Sequence, residues 1–167
     1  AIAARTICSK LRAAEGPAVA TKMGGALVEC LNKRDRKAWQ QGPGGESKMA
    51  YMTLCHGDCA NAILQLTHAG AAACQALQEA GALEVLVAAL TAHKADANVV
   101  DFACFAVGNL VRGRGEKAQD DAGAARKKRA VEAGVLAALV GAMSAHMDQP
   151  RVQEFGSRAI SNLTYRS

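Results

Sequence analysis

Cys55, His56, Asp58 and Cys59 fall in one short run, CHGDC, and are of the types that bind zinc through thiolate and imidazole. Their spacing argues against it. Cys55 and Cys59 stand one turn apart on a helical pattern, and no second pair lies at a suitable distance, so no metal is expected. Cys8, Cys30, Cys74 and Cys104 also sit in apolar helical patterns, where a reduced thiol behaves as a small hydrophobe. Reduced thiols point to a reducing compartment, cytoplasmic or nuclear. His93 and His146 recur at equivalent places between helices, which fits capping, and neither has a nucleophile nearby in sequence. The chain carries no Gly-rich phosphate loop, no nucleophile elbow and no paired acid motif. A non-enzymatic protein without a cofactor is expected.

The remaining chemistry is that of binding. Asn109 and Asn162 each offer an amide that can donate and accept, and so can bridge the N–H and C=O of a bound strand. The same amides can tie adjacent turns of the chain itself together. Both readings stay open. Arg126 to Arg129 (RKKR) suits either a nuclear targeting patch or the solvated face of a short helix, and Asp120 and Asp121 ahead of it favour the second. The segment 32–49 (NKRDRKAWQQGPGGESKM) holds five cationic residues and the single Trp of the chain. Trp39, with Arg34 and Arg36, is a candidate loop contact, because Trp and Arg dominate interface hot spots. A surface loop with Trp39 folded back on the protein is the plainer alternative.

These residues are positioned by a repeat. Glu79 to Leu90 (EAGALEVLVAAL) and Glu132 to Met143 (EAGVLAALVGAM) superimpose at a shift of 53 residues, and the shift then holds for Val99 on Val152, Phe102 on Phe155, Ala106 on Ala159, and Asn109-Leu110 on Asn162-Leu163. Leu83, Leu86, Val87 and Leu90, then Phe102, Ala106, Val107 and Leu110, fall at helical spacing. A polar linker, Thr91 to Asn98 or Ser144 to Pro150, separates the two helices of each unit. Short helices at Ala71–Glu79 and Ala124–Glu132 precede them, ended by Gly81 and Gly134, where Gly tolerates a positive φ. A weaker copy spans 17–68, interrupted by the 32–49 insertion. Ile2 to Leu11 matches the final helix of a still earlier unit.

Composition agrees with packed helices. Half of the 167 residues are apolar but only 4% are aromatic, and Pro occurs three times, so the core must be built from small and aliphatic side chains. The formal charge of +5 permits acidic partners but falls short of a dedicated nucleic-acid binder. No apolar run is long enough to span a membrane.

The three-helix unit, with EAG before its middle helix and Asn-Leu near the end of its third, resembles the armadillo repeat, without closely matching any one member. The likeness is good over 69–167 and loose over 17–68. It implies an all-α fold: a right-handed α-solenoid of about three armadillo-type repeats plus a partial N-terminal one. The implied units are 1–13, the last helix of a partial repeat; 17–68; 69–113; and 124–167. Third helices in that family line a concave groove for extended peptides. By position the groove would hold Gln65, Phe105, Asn109, Arg112, Arg158, Asn162 and Tyr165. Karyopherin-α import adaptors place a Trp one turn before the Asn; here Asn61, Phe105 and Arg158 stand there, so the cage for a basic signal is missing. Arg112, Arg158 and Arg166 instead suggest an acidic segment, as in β-catenin-like arrays.

The leading expectation is therefore a protein-interaction scaffold that binds an acidic peptide or partner subunit. The alternative is a structural segment of a larger eukaryotic assembly, cytoskeletal or axonemal, that makes contact through its ends. The helix closing at Leu163 to Ser167 lacks a polar cap repeat, and the chain starts at Ala1 instead of Met. Those features point to a longer parent chain or to end-to-end association.

Overall fold

The computed structural model describes residues 57–68, 70–113 and 121–165, with the side chains of 121 and 122 left aside. Among them lie seven helices and no strand: α1 (57–67), α2 (Ala71–Glu79), α3 (Ala82–Ala92), α4 (Ala97–Arg112), α5 (Asp121–Glu132), α6 (Val135–Ala145) and α7 (Pro150–Thr164). The all-α expectation is met for these residues. No single one of these helices is long and apolar enough to cross a membrane; α2 and α3 reach that composition only jointly, across a 71° bend.

The 53-residue shift reappears in the helix bounds. It carries α3 onto α6 end for end, and the first residue of α4 onto the first of α7. Gly81 and Gly134 make the same turn ahead of the middle helix, with φ 85° and 77°, in the left-handed region where a Cβ is costly. His93 and His146 occupy the same position at the other end, as the C-caps of α3 and α6. His146 adds a link between units, its ring Nε2 donating to the Lys94 carbonyl oxygen over 2.7 Å.

The third helices begin at the same place by different chemistry. Asp96 caps α4, its carboxylate accepting from the backbone N–H groups of Asn98 at 2.9 Å and Val99 at 3.3 Å. That satisfies donors the helix cannot satisfy internally and contributes about 1 kcal/mol. Before α7 the corresponding residue is Gln149, which makes no such bond, and Pro150 fixes the first helical φ instead. Gln153 then turns back to cap the preceding helix, its Nε2 donating to the carbonyls of Met143 and His146, both at 2.8 Å.

Packing follows the register. α4 lies along α7, and α3 along α6, so like helices of the two units stack on each other while α3 covers α4 and α6 covers α7 within each unit. A continuous core runs from Ile63 and Leu66 through Leu77, Leu83, Leu86, Val107 and Leu110 to Leu139, Val152 and Leu163. The long helices approach closely where side chains are smallest: a Cβ on Gly108 would sit 3.5 Å from that of Ala159.

Two boundaries differ from the sequence expectation. The first helix of the second unit spans Asp121–Glu132 and so starts three residues before Ala124. The linker between the longer helices is only 93–96, since Thr91 and Ala92 continue α3 and Ala97 already belongs to α4. The helix expected at 1–13, the expected insertion 32–49 and Arg34, Arg36, Trp39, Cys55, His56 and Arg166 lie outside the described residues.

Candidate interaction face

On α7 the residues Arg151, Phe155, Arg158 and Asn162, with Tyr165 just beyond, recur every three or four positions and so share one stripe. The 53-residue shift places Asn98, Phe102, Phe105, Asn109 and Arg112 on the matching stripe of α4. Since α4 and α7 run side by side, the two stripes form a single face, and α1 adjoins α4 through the bond from Asn109 to Thr67. Gln65 on α1 and Phe105, Asn109 and Asn162 on the stripes are half-buried, while Arg112, Arg158 and Tyr165 are exposed. All seven candidate groove residues thus keep some access to solvent.

An aromatic stack occupies the middle of this face. The rings of Phe105 and Phe155 are parallel to within 9°, with centroids 4.3 Å apart, and His68 meets Phe105 edge-on at 6.1 Å. The guanidinium groups of Arg151 and Arg158 stand 5.5 and 5.4 Å from the Phe155 centroid, in cation–π range. Each Arg also meets a carboxylate: Arg151 pairs with Asp101 at 2.9 Å across the helices, and Arg158 with Glu154 at 2.5 Å along its own. Arg158 and Glu154 are both about half exposed, so that pair is weak, whereas Arg151 is held by an Asp101 side chain only 14% exposed; both guanidinium groups still reach solvent. Arg112, in the last turn of α4, adds a third exposed cation.

The two Asn residues make bonds between helices. Asn109 Nδ2 donates to Thr67 Oγ1 at 2.8 Å, and Asn162 Nδ2 donates to the Gly108 carbonyl at 3.0 Å. Thr67 is fully buried and passes the chain on, its hydroxyl donating to the Leu64 carbonyl at 2.6 Å. Gln65 donates to Asn61 at 3.2 Å within α1. One amide proton of each Asn is therefore committed to the neighbouring helix. An amide has a second proton and an oxygen that accepts, so its bonding capacity is not exhausted.

Other candidates have structural surroundings. Arg126 packs against Gly113, and Lys127 donates to the Tyr165 carbonyl, whereas Lys128 and Arg129 are exposed. Gln78, buried on α2, donates to the Leu110 carbonyl at 2.7 Å; at the equivalent place α5 has Val131, which cannot. Cys74 and Cys104 are buried thiols, and burial, with the Asp101 carboxylate adding to it, pushes Cys104 up to about 12. No group of metal-ligating side chains gathers among the described residues.

Sequence reasoning did not single out Arg151, Asp101, Phe155 or Thr67 as parts of this face. The signal for Arg151 and Asp101 was present. Laying the repeat on itself puts Arg151 opposite Asn98, one turn from Asp101, and a charge pair across the two helices follows. Compared with family models, curated proteins and solved structures, the chain matches none.

Proposed function

We propose that the chain is a protein-interaction scaffold of armadillo type, a right-handed α-solenoid whose third helices, α1, α4 and α7, line a concave face for an acidic, extended peptide or partner segment. The observation that carries this reading is the stripe on α4 and α7. It combines the stacked Phe105 and Phe155 with three cations, Arg112, Arg151 and Arg158, that remain exposed. An apolar platform beside outward cations suits a segment that alternates apolar anchors with carboxylates. The half-exposed Asn109 and Asn162 keep amide groups beside the path such a segment would take.

Selection of displayed random peptides on the immobilised chain tests the proposal. Enriched peptides should be rich in Asp and Glu with interspersed apolar residues, and the enrichment should vanish on an Arg112→Glu/Arg158→Glu variant. Enrichment of basic peptides, or none at all, would overturn it.

A second reading, a structural segment that makes contact through its ends, is favoured by one observation. Leu136 and Val140 on α6 are about half exposed, although their equivalents in the preceding unit, Leu83 and Val87, are buried and half-buried.

A further inference from the structure

The first helices of the two units, α2 and α5, both pack on α4, and between them opens a cleft of about 430 Å³. Gln75 and Glu79 line it from α2, and Arg126, Lys128, Arg129 and Glu132 from α5. Charged as they are, these side chains do not pair with one another. Glu79 accepts from the Gln75 amide at 2.9 Å, and none of the three cations meets a carboxylate among the described residues.

The repeat does not require these cations. At the shift of 53 residues, Arg126, Lys128 and Arg129 fall on Ala73, Gln75 and Ala76, and Ala73 is completely buried. A guanidinium thus stands where the preceding unit packs a methyl group. It is seated on Gly113, the C-cap of α4, so closely that a Cβ there would lie 2.9 Å from the guanidinium carbon. Arg126 Nε is buried with no acceptor among the described residues, and the terminal amino groups make no ion pair or hydrogen bond that would offset it. Holding a cationic donor in this way costs free energy that an arriving acceptor recovers.

We infer that the cleft binds the phosphate group of a small hydroxylated compound, with the Arg126 guanidinium as its main contact and Lys128 and Arg129 adding charge at the rim. The planar fork of an arginine matches two phosphate oxygens at once, and the third oxygen is left for a neighbouring cation. Three cations against two carboxylates leave one net positive charge, which suits a single phosphate and not a polyphosphate. The volume is that of a small-molecule site, but the lining is polar apart from Ala125, so the rest of the ligand is polar too. Glu79, Glu132 and the Gln75 amide offer oxygens that accept from its hydroxyl groups. The cleft lies outside the stripe of Phe105 and Phe155, and a ligand there leaves that face free.

NMR titration of the full chain at constant ionic strength tests this, with inorganic phosphate, glycerol phosphate and glycerol as probes. The reporters are the Arg126 Nε–H signal and the backbone amides of α2 and α5. Both phosphates should shift them saturably and glycerol should not, and glycerol phosphate should bind at least about fivefold more tightly than inorganic phosphate through its hydroxyl groups. Arg126→Ala installs the residue that the preceding unit has at this place and so keeps the fold; the amide shifts should vanish in it. Lys94→Gln, which removes an exposed cation outside the cleft, should titrate as the wild type does. No saturable shift with either phosphate, shifts that survive Arg126→Ala, or inorganic phosphate binding as tightly as glycerol phosphate would each overturn the inference.

Discussion

The side-chain amide of Asn162 donates to the backbone carbonyl of Gly108, 3.0 Å away on the neighbouring long helix, where Gly108 packs against Ala159. A side-chain bond to a neighbouring helix thus lies within the register that also builds the stripe of Phe105 and Phe155. Asn109 repeats the arrangement one unit earlier, with Thr67 as its acceptor. These bonds join units, and they do so from positions half open to solvent.

Removing them should cost stability in a measurable and modest amount. Asn162→Ala and Asn109→Ala are each expected to lower the unfolding free energy by about 0.5–1.5 kcal/mol, as for a typical intramolecular hydrogen bond. Urea denaturation checks this. Binding must then be compared at temperatures where both variants are fully folded, because stability and the proposed peptide contact draw on the same two side chains.

The close approach of the long helices separates two glycines. Gly108→Ala adds a Cβ at ordinary contact distance from Ala159 and should be neutral or stabilise by up to about 1 kcal/mol, through helix propensity. Gly156→Ala would bring its Cβ to 2.6 Å from Met143 Sδ and 2.7 Å from Met143 Cγ, so the half-buried Met143 must move. It should be the less stable of the two by about 1 kcal/mol or more. Thermal unfolding of the pair decides the order.

The stack at Phe105 should matter more than any ion pair beside it. Phe105→Ala removes a ring held between His68 and Phe155 and is expected to cost about 2–3 kcal/mol, combining lost burial with a lost aromatic pair. Arg151→Ala removes a side chain that is 66% exposed but leaves the Asp101 carboxylate, 14% exposed, without its ion pair, and should cost about 1 kcal/mol. Denaturation midpoints for the two variants are the check.

The thiols should divide by burial. Cys104, with its pKa pushed up to about 12 by burial and by Asp101, should resist alkylation at mildly alkaline pH, while the half-buried Cys59 reacts sooner; peptide mapping after a timed reaction shows which is modified. The folded pKa is raised above the ordinary thiol value of 9.0. Its contribution to stability is therefore whole below about 9 and is lost as pH rises towards 12, because the unfolded thiol ionises first. Cys104→Ala should remove that part of the alkaline slope.

Much of this architecture was legible in the sequence because a repeat checks itself. EAGALEVLVAAL against EAGVLAALVGAM set the register, and the helix bounds fell on it almost residue for residue. Gly81, Gly134, His93 and His146 were readable for the same reason: each marks a turn that occurs twice. The contacts between units were harder, since they depend on which faces oppose one another. Thr67 gives no sign in sequence that it accepts from Asn109, and Arg151 pairs with Asp101 only once α4 and α7 are laid side by side. The exposure of Leu136 and Val140 was equally hidden, because their periodicity is the same as that of the buried Leu83 and half-buried Val87.

The claim that α4 and α7 present a face for acidic segments is tested most directly by titrating one peptide. A fluorescently labelled segment alternating Asp or Glu with apolar residues, and its amide counterpart with Asn and Gln, are titrated against the wild-type chain and against Arg112→Glu/Arg158→Glu. The acidic peptide should bind the wild type at least about tenfold more tightly than the amide peptide and lose that advantage in the double variant and at high salt. Equal affinity for both peptides, or acidic-peptide binding that survives the double charge reversal, would contradict the account.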